Sequence, residues 1–237
     1  MGRVKVKKKD VFIDMTAMSD VTVLLLTFFM LTSTFLQKEP VIVNTPSSVA
    51  EVKVPDSNLV TVLVSPKGKV FLSLTGSKDS TYSSEKMRLS LLESVTAEYN
   101  KHYKTPVSFT DQQKITFARS TVIGLPISKL GEYLDLLGQN KVEKADELTD
   151  PEKNPNAGIP IDMNEDLNNP NEFQIWMNAL YDLPGDAAFY DDIISGKAIA
   201  LKADKSTPYD VVQVVMDNLQ TLKMNKFTFM TALKTEK

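Results

Sequence analysis

From Val21 to Leu36 the chain carries no charge, no Gly and no Pro. Counted from Ile13, the stretch runs 24 residues. As a helix it would be about 36 Å long, enough to cross a hydrocarbon core about 30 Å thick with some tilt. Asp14 lies at its start, and one carboxylate, Asp20, lies deeper inside it. An ionised carboxylate at that depth costs on the order of 2.5–3.5 kcal/mol. It escapes the cost by taking up a proton or by facing a wet or polar protein interior. Asp20 is therefore the leading candidate for function.

Hydroxyls accompany it. At about 100° per residue, Thr16, Asp20, Thr27 and Thr34 fall within about 60° of one another, on one helix face. The plainer reading of each Thr is a bond to its own backbone. Asp14 is expected to cap or flank the helix start, with a second proton site as the alternative.

The 237 residues carry a formal charge of −3, no Cys and a single His. The missing Cys excludes disulfides, thiolate catalysis and Cys-based metal sites. His102 stands in the polar run Asn100–Lys104 and reads as a solvated helix-end residue. No Ser–His pair, catalytic carboxylate pair, metal constellation or phosphate-binding glycine motif stands out, so neither an enzyme nor a cofactor or metal site is expected. The region from Asp135 to Asp192 is acidic, and its scattered Glu147, Asp150, Glu152, Asp162, Glu165 and Asp166 read as a solvated acidic surface.

Arg3, Lys5, Lys7, Lys8 and Lys9 crowd the N-terminus. Nucleic-acid binding is one reading of such a cluster. Its position before an apolar helix favours another, a flank held on the cytoplasmic side, with the chain from about Gln37 outside. A cleaved signal peptide is the rival. The length of the segment, Asp10, Asp14 and Asp20, and the lack of a small-x-small site around Thr32-Ser33-Thr34 all weigh against it.

Beyond the helix, residues 37–58 contain Pro40, Pro46 and Pro55 and read as an extended linker. Its Val41–Val43 and Val49–Val54 runs could add to a sheet edge, including that of a second copy. Leu59–Ser65 and Lys69–Leu74, joined by Pro66-Lys67-Gly68, predict a hairpin. Ser83 or Ser84 then caps a helix through about Tyr99.

The block 105–195 differs in texture. Thr110-Asp-Gln-Gln113 predicts a capping box opening a helix to Arg119. Ile127–Leu137 and Asn171–Leu183 predict helices, and Asp146–Pro170 an irregular or mobile stretch.

The C-terminal part predicts a strand Ala198–Ala203 and a turn at Asp204-Lys205-Ser206. A helix follows, capped by Thr207 with Pro208 at its first position, and then a strand Lys226–Leu233. A β-α-β unit places these two strands in one sheet. The expected fold is thus a single membrane helix (13–36) after a basic arm (1–12), and a small two-layer α/β domain. That domain is β-β-α…β-α-β, built from 59–104 and 196–237, with 105–195 as a mainly helical insertion.

At this point the residues resemble a known family. Ile13-Asp14-Met15-Thr16, then Asp20 and the apolar run after it, resemble the membrane helix of the ExbD/TolR family. IALKADKSTPYDVVQVVMDNL near the C-terminus resembles that family's later strand–turn–helix. The resemblance covers Lys5–Tyr99 and Lys197–Lys234. Ala17 departs from it, since the family often has Pro after the Thr, and block 105–195 lies outside the common core.

The resemblance implies an inner-membrane, single-pass homodimer with the α/β domain in the periplasm. It implies two helices inside a ring of ExbB/TolQ-like subunits and a TonB-like periplasmic partner. Asp20 would be the proton-accepting carboxylate that harnesses the proton motive force. A TolR-like role in a Tol–Pal system is the alternative within the family. A membrane-tethered scaffold or binding module, with Asp20 incidental, is the alternative outside it.

Overall fold

A computed structural model describes residues 15–32, 43–48, 58–76, 83–183, 187–195, 197–230 and 232–233. The chain divides into two units, Met1–Lys38 and Glu39–Lys237.

The first unit contains helix α1, Met15–Thr32. Eighteen residues make about 27 Å of helix, just under a hydrocarbon thickness of about 30 Å. Among the described residues, no helix is long and apolar enough to cross a membrane. The expected span 13–36 reaches beyond α1 at both ends, and those ends lie outside the described residues.

The second unit is a mixed α/β structure around a five-stranded sheet whose strands lie in the order Val122–Ile123 (β4), Val70–Thr75 (β3), Leu59–Val64 (β2), Ile199–Ala203 (β5) and Thr228–Phe229 (β6). Strands β2 (Leu59–Val64) and β3 (Val70–Thr75) form the expected antiparallel hairpin. Gly68 turns it at φ +73, where a residue without a Cβ meets no steric penalty. Strand β5 (Ile199–Ala203) lies parallel to β2, and β6 (Thr228–Phe229) parallel to β5. The β-α-β expectation holds, with helix α8 (Tyr209–Thr221) between β5 and β6.

Strand alternation sorts the core. Val60, Val62, Val64, Leu72, Leu74, Ile199 and Leu201 join the main apolar cluster. Helix α2 (Ser84–His102) supplies Met87, Leu91, Leu92, Val95 and Tyr99, and α8 supplies Val212, Val215 and Leu219. Each such side chain contributes about 1.5–3 kcal/mol on burial. Leu63 and Phe71 belong to a separate small cluster with Val43.

Block 105–195 shares both the sheet and the main core. Its strand β4 (Val122–Ile123) pairs antiparallel with β3. The block also contains α3 (Asp111–Arg119) before β4 and, after it, α4 (Ile127–Gly138), α5 (Val142–Thr149), α6 (Glu172–Asn178), a 3-10 turn Ala179–Asp182, and α7 (Ala187–Ile194). Phe117 of α3 stacks on Trp176 of α6 at 6.1 Å, and both are in the main cluster. The α3 capping box forms as expected: Thr110 Oγ1 accepts from the Gln113 N–H, and Gln113 Oε1 accepts from the Thr110 N–H.

Several expectations need correction. Asp146–Thr149 is helical, within α5. The rest of the stretch to Pro170 has no helix or strand, yet it is held in place. The Ile159 N–H donates to Val70 O at 2.7 Å and the Gly158 N–H to Gly124 O at 2.8 Å. Asp150, Asn154, Asn164 and Asp166 each accept from a backbone N–H two residues on, the Asx turns that suit Asp- and Asn-rich sequence.

The expected strand Lys226–Leu233 is broken. After the Met230 N–H bonds to Leu201 O, the chain leaves the sheet. The next described residues form β7 (Ala232–Leu233), which pairs in parallel with β1 (Ser47–Ser48) in a second, two-stranded sheet. The linker pairing therefore falls between the two expected valine runs. Val43 packs against the sheet, and Val41 and Val49–Val54 lie outside the described residues.

Thr207 does not cap α8. Its hydroxyl donates to Ser65 O at 2.9 Å, and Pro208 takes the cap position. Asp204 organises the same turn, accepting from the Ser206 N–H and hydroxyl and from the Asn44 N–H at 2.7 Å.

Candidate functional site

Leu, Met and Ala favour α1, and its interior lacks Gly and Pro. Its apolar side chains point in every direction. Leu24, Leu25, Leu26, Phe28, Phe29, Met30 and Leu31 are all at least half exposed, unlike the one-sided helices of the second unit. An apolar surface that closes around a helix calls for an apolar environment on all sides.

Asp20 is the one titratable side chain within α1. A shallow groove on the helix is lined by Thr16, Ser19, Asp20 and Val23. Of the predicted hydroxyl face, Thr16 thus shares a groove with Asp20. Thr27 lies two turns further on, and its hydroxyl donates to Leu24 O at 2.9 Å. Thr22, on another face, likewise donates to Met18 O at 2.8 Å. Asp14 and Thr34 lie outside the described residues.

Sequence reasoning missed Ser19. Its hydroxyl falls about 100° from Asp20 on the helical wheel, outside the arc used to define the polar face.

The second unit offers no metal constellation among the described residues. Asp146, Glu147, Glu152, Asp162, Glu165 and Asp166 are exposed, as expected of an acidic surface, and Asp150 is half-buried. His102 sits in the last turn of α2, its Nε2 at 3.0 Å from Glu98 Oε1. The Glu98 carboxyl is held below its ordinary range, chiefly by the hydrogen bond from Lys101.

Two buried charges were not foreseen. Arg88 reaches from α2 to donate to Leu74 O and, at 2.9 Å, to Ala118 O near the end of α3. Carbonyls at a helix C-terminus carry partial negative charge and suit a guanidinium. The second is Glu172, whose carboxylate accepts from the Ile127 N–H at 2.8 Å. Pro126 precedes Ile127 and has no side-chain acceptor, so Glu172 caps α4 from a distance. The only sequence signal was that uncapped start.

Burial raises the Glu172 carboxyl above its ordinary value, and the Ile127 N–H bond pulls it partly back. The folded chain therefore holds this proton more tightly than the unfolded chain. The stability tied to it is fully present below the unfolded value and is lost as pH rises through the folded one. Glu172→Gln keeps an acceptor for Ile127 without the charge. Urea unfolding near pH 7 is expected to find the variant more stable than wild type. The difference should vanish below about pH 4, where an unfolded Glu is protonated.

A family model described as biopolymer transport protein ExbD/TolR matches residues 7–234, and that range includes block 105–195. The match places the chain among transport proteins. It belongs to the ExbD/TolR family. Comparison with curated proteins and with solved structures returned no match.

Proposed function

We propose that the chain is the proton-carrying subunit of an ExbB–ExbD-type motor, energising TonB-dependent transport across an outer membrane. The observation that carries the reading is Asp20, a lone carboxylate on a helix whose apolar side chains are exposed all round. The apolar sequence from Ile13 to Leu36 supplies a membrane span, and the basic N-terminus sets it with residue 1 in the cytoplasm.

In the bacterial inner membrane two copies pair inside a ring of ExbB/TolQ-like subunits, with the α/β unit in the periplasm beside a TonB-like protein. Asp20 alternates between a neutral, desolvated state and a charged, hydrated one. Each proton crossing the membrane delivers about 2.3 kcal/mol per 100 mV to the relative motion of helix and ring. Family membership supports the transport role.

Growth on a nutrient that needs energised outer-membrane uptake tests the reading. Asp20→Asn, at matched membrane levels and with the complex assembled, is expected to abolish that growth. Normal growth of the variant would reject the role of Asp20 in uptake. Normal uptake with a leaky, detergent-sensitive envelope would point instead to the TolR-like alternative.

A further inference from the structure

The groove beside Asp20 is polar on one side only. Going along α1, Thr16 and Ser19 precede Asp20 and Val23 follows it. Together the four residues span an arc of about 100°. Among the described residues, neither the Ser19 hydroxyl nor the Asp20 carboxylate has a hydrogen-bond partner within the chain, whereas Thr22 and Thr27 are tied to their own backbone. A tied hydroxyl has spent its proton and can only accept. Ser19 can donate and accept.

Adjacent residues on a helix do not face each other, so Ser19 and Asp20 border one shallow groove side by side and do not bond directly. An ordered water needs two to four polar partners, and Thr16, Ser19 and Asp20 all line this groove.

We propose that this groove holds water and that Ser19 is a positioning residue, anchoring the water through which Asp20 exchanges its proton toward the N-terminal side of the helix. The inference rests on the reading of Asp20 as the proton carrier. It adds a direction, because the hydrated side is the one bearing Thr16 and Ser19, and Val23 closes the other. Asp20 is the one titratable group among the described residues of its unit.

The chain has no Cys, so a single introduced Cys reports without background. Thiols react as thiolates, which form only where water reaches. In the intact complex, Ser19→Cys is expected to react with a small charged thiol reagent on the order of ten-fold or more faster than Leu25→Cys on the opposite face. In the complex reconstituted in vesicles, Ser19→Ala is expected to take up protons about tenfold more slowly. Ser19→Asn, which keeps a donor and an acceptor, is expected to stay near the wild-type rate.

A Ser19→Cys no more reactive than Leu25→Cys overturns the wet groove. Wild-type uptake in Ser19→Ala overturns the role of Ser19. Either result, together with an inactive Asp20→Asn, leaves the reading of Asp20 standing. An active Asp20→Asn overturns both.

Discussion

Gly124→Ala is expected to destabilise the second unit by about 3 kcal/mol, the upper end for overpacking. The melting temperature of the full chain should fall by roughly 6–12 °C. A Cβ built on Gly124 would lie 2.0 Å from Cδ1 and 2.4 Å from Cε1 of Phe71. Phe71 cannot step aside, since it is fully buried against Leu63 and Val43. The backbone cannot easily retreat either, because Gly124 O accepts from the Gly158 N–H. The clash identifies its own remedy. In a Phe71→Leu background, Gly124→Ala should cost much less, and a double-mutant cycle read by thermal unfolding would show the coupling. Additive effects would mean that the two residues do not meet.

Trp176→Ala is expected to cost about 3–5 kcal/mol, as large aromatic truncations in a core do. Trp176 is fully buried on α6 and stacks on Phe117, joining α6 to α3. Its indole N–H is buried without a hydrogen-bond partner among the described residues, a defect worth about 1–3 kcal/mol. Trp176→Phe removes that orphaned donor while keeping most of the ring. It should cost far less than Trp176→Ala and come close to wild type in urea unfolding. Equal losses in the two variants would contradict the packing argument.

The sequence made the local devices legible. The hairpin at Pro66-Lys67-Gly68, the Thr110–Gln113 capping box and the strand–helix–strand at the C-terminus each depend on residues a few positions apart. What it concealed depends on partners far along the chain. Glu172 caps a helix that begins 45 residues earlier. Arg88 finds its carbonyl acceptors on β3 and α3. The last strand divides between two partners, β6 against β5 and β7 against β1, which no local pattern records.

Block 105–195 looked separate because its texture is helical and polar. Its buried residues instead complete the main core, and a polar cluster ties it to α8. There Asn171 Nδ2 donates to Asn218 Oδ1 at 2.9 Å, and Asn218 Nδ2 donates to Asp162 O at 2.8 Å. In the proposed site, the sequence singles out Asp20 by its chemistry alone. It does not single out Ser19, because a strict polar arc omits a residue that borders the groove without lying on its midline.

The central claim is that Asp20 carries protons. The most direct test is proton uptake into vesicles containing the purified complex, driven by an imposed membrane potential, for wild type and Asp20→Asn. The account predicts uptake by wild type and none above the protein-free background for Asp20→Asn, with the complex intact in both. Uptake by Asp20→Asn at the wild-type rate would contradict it, and the helix would then be an anchor only.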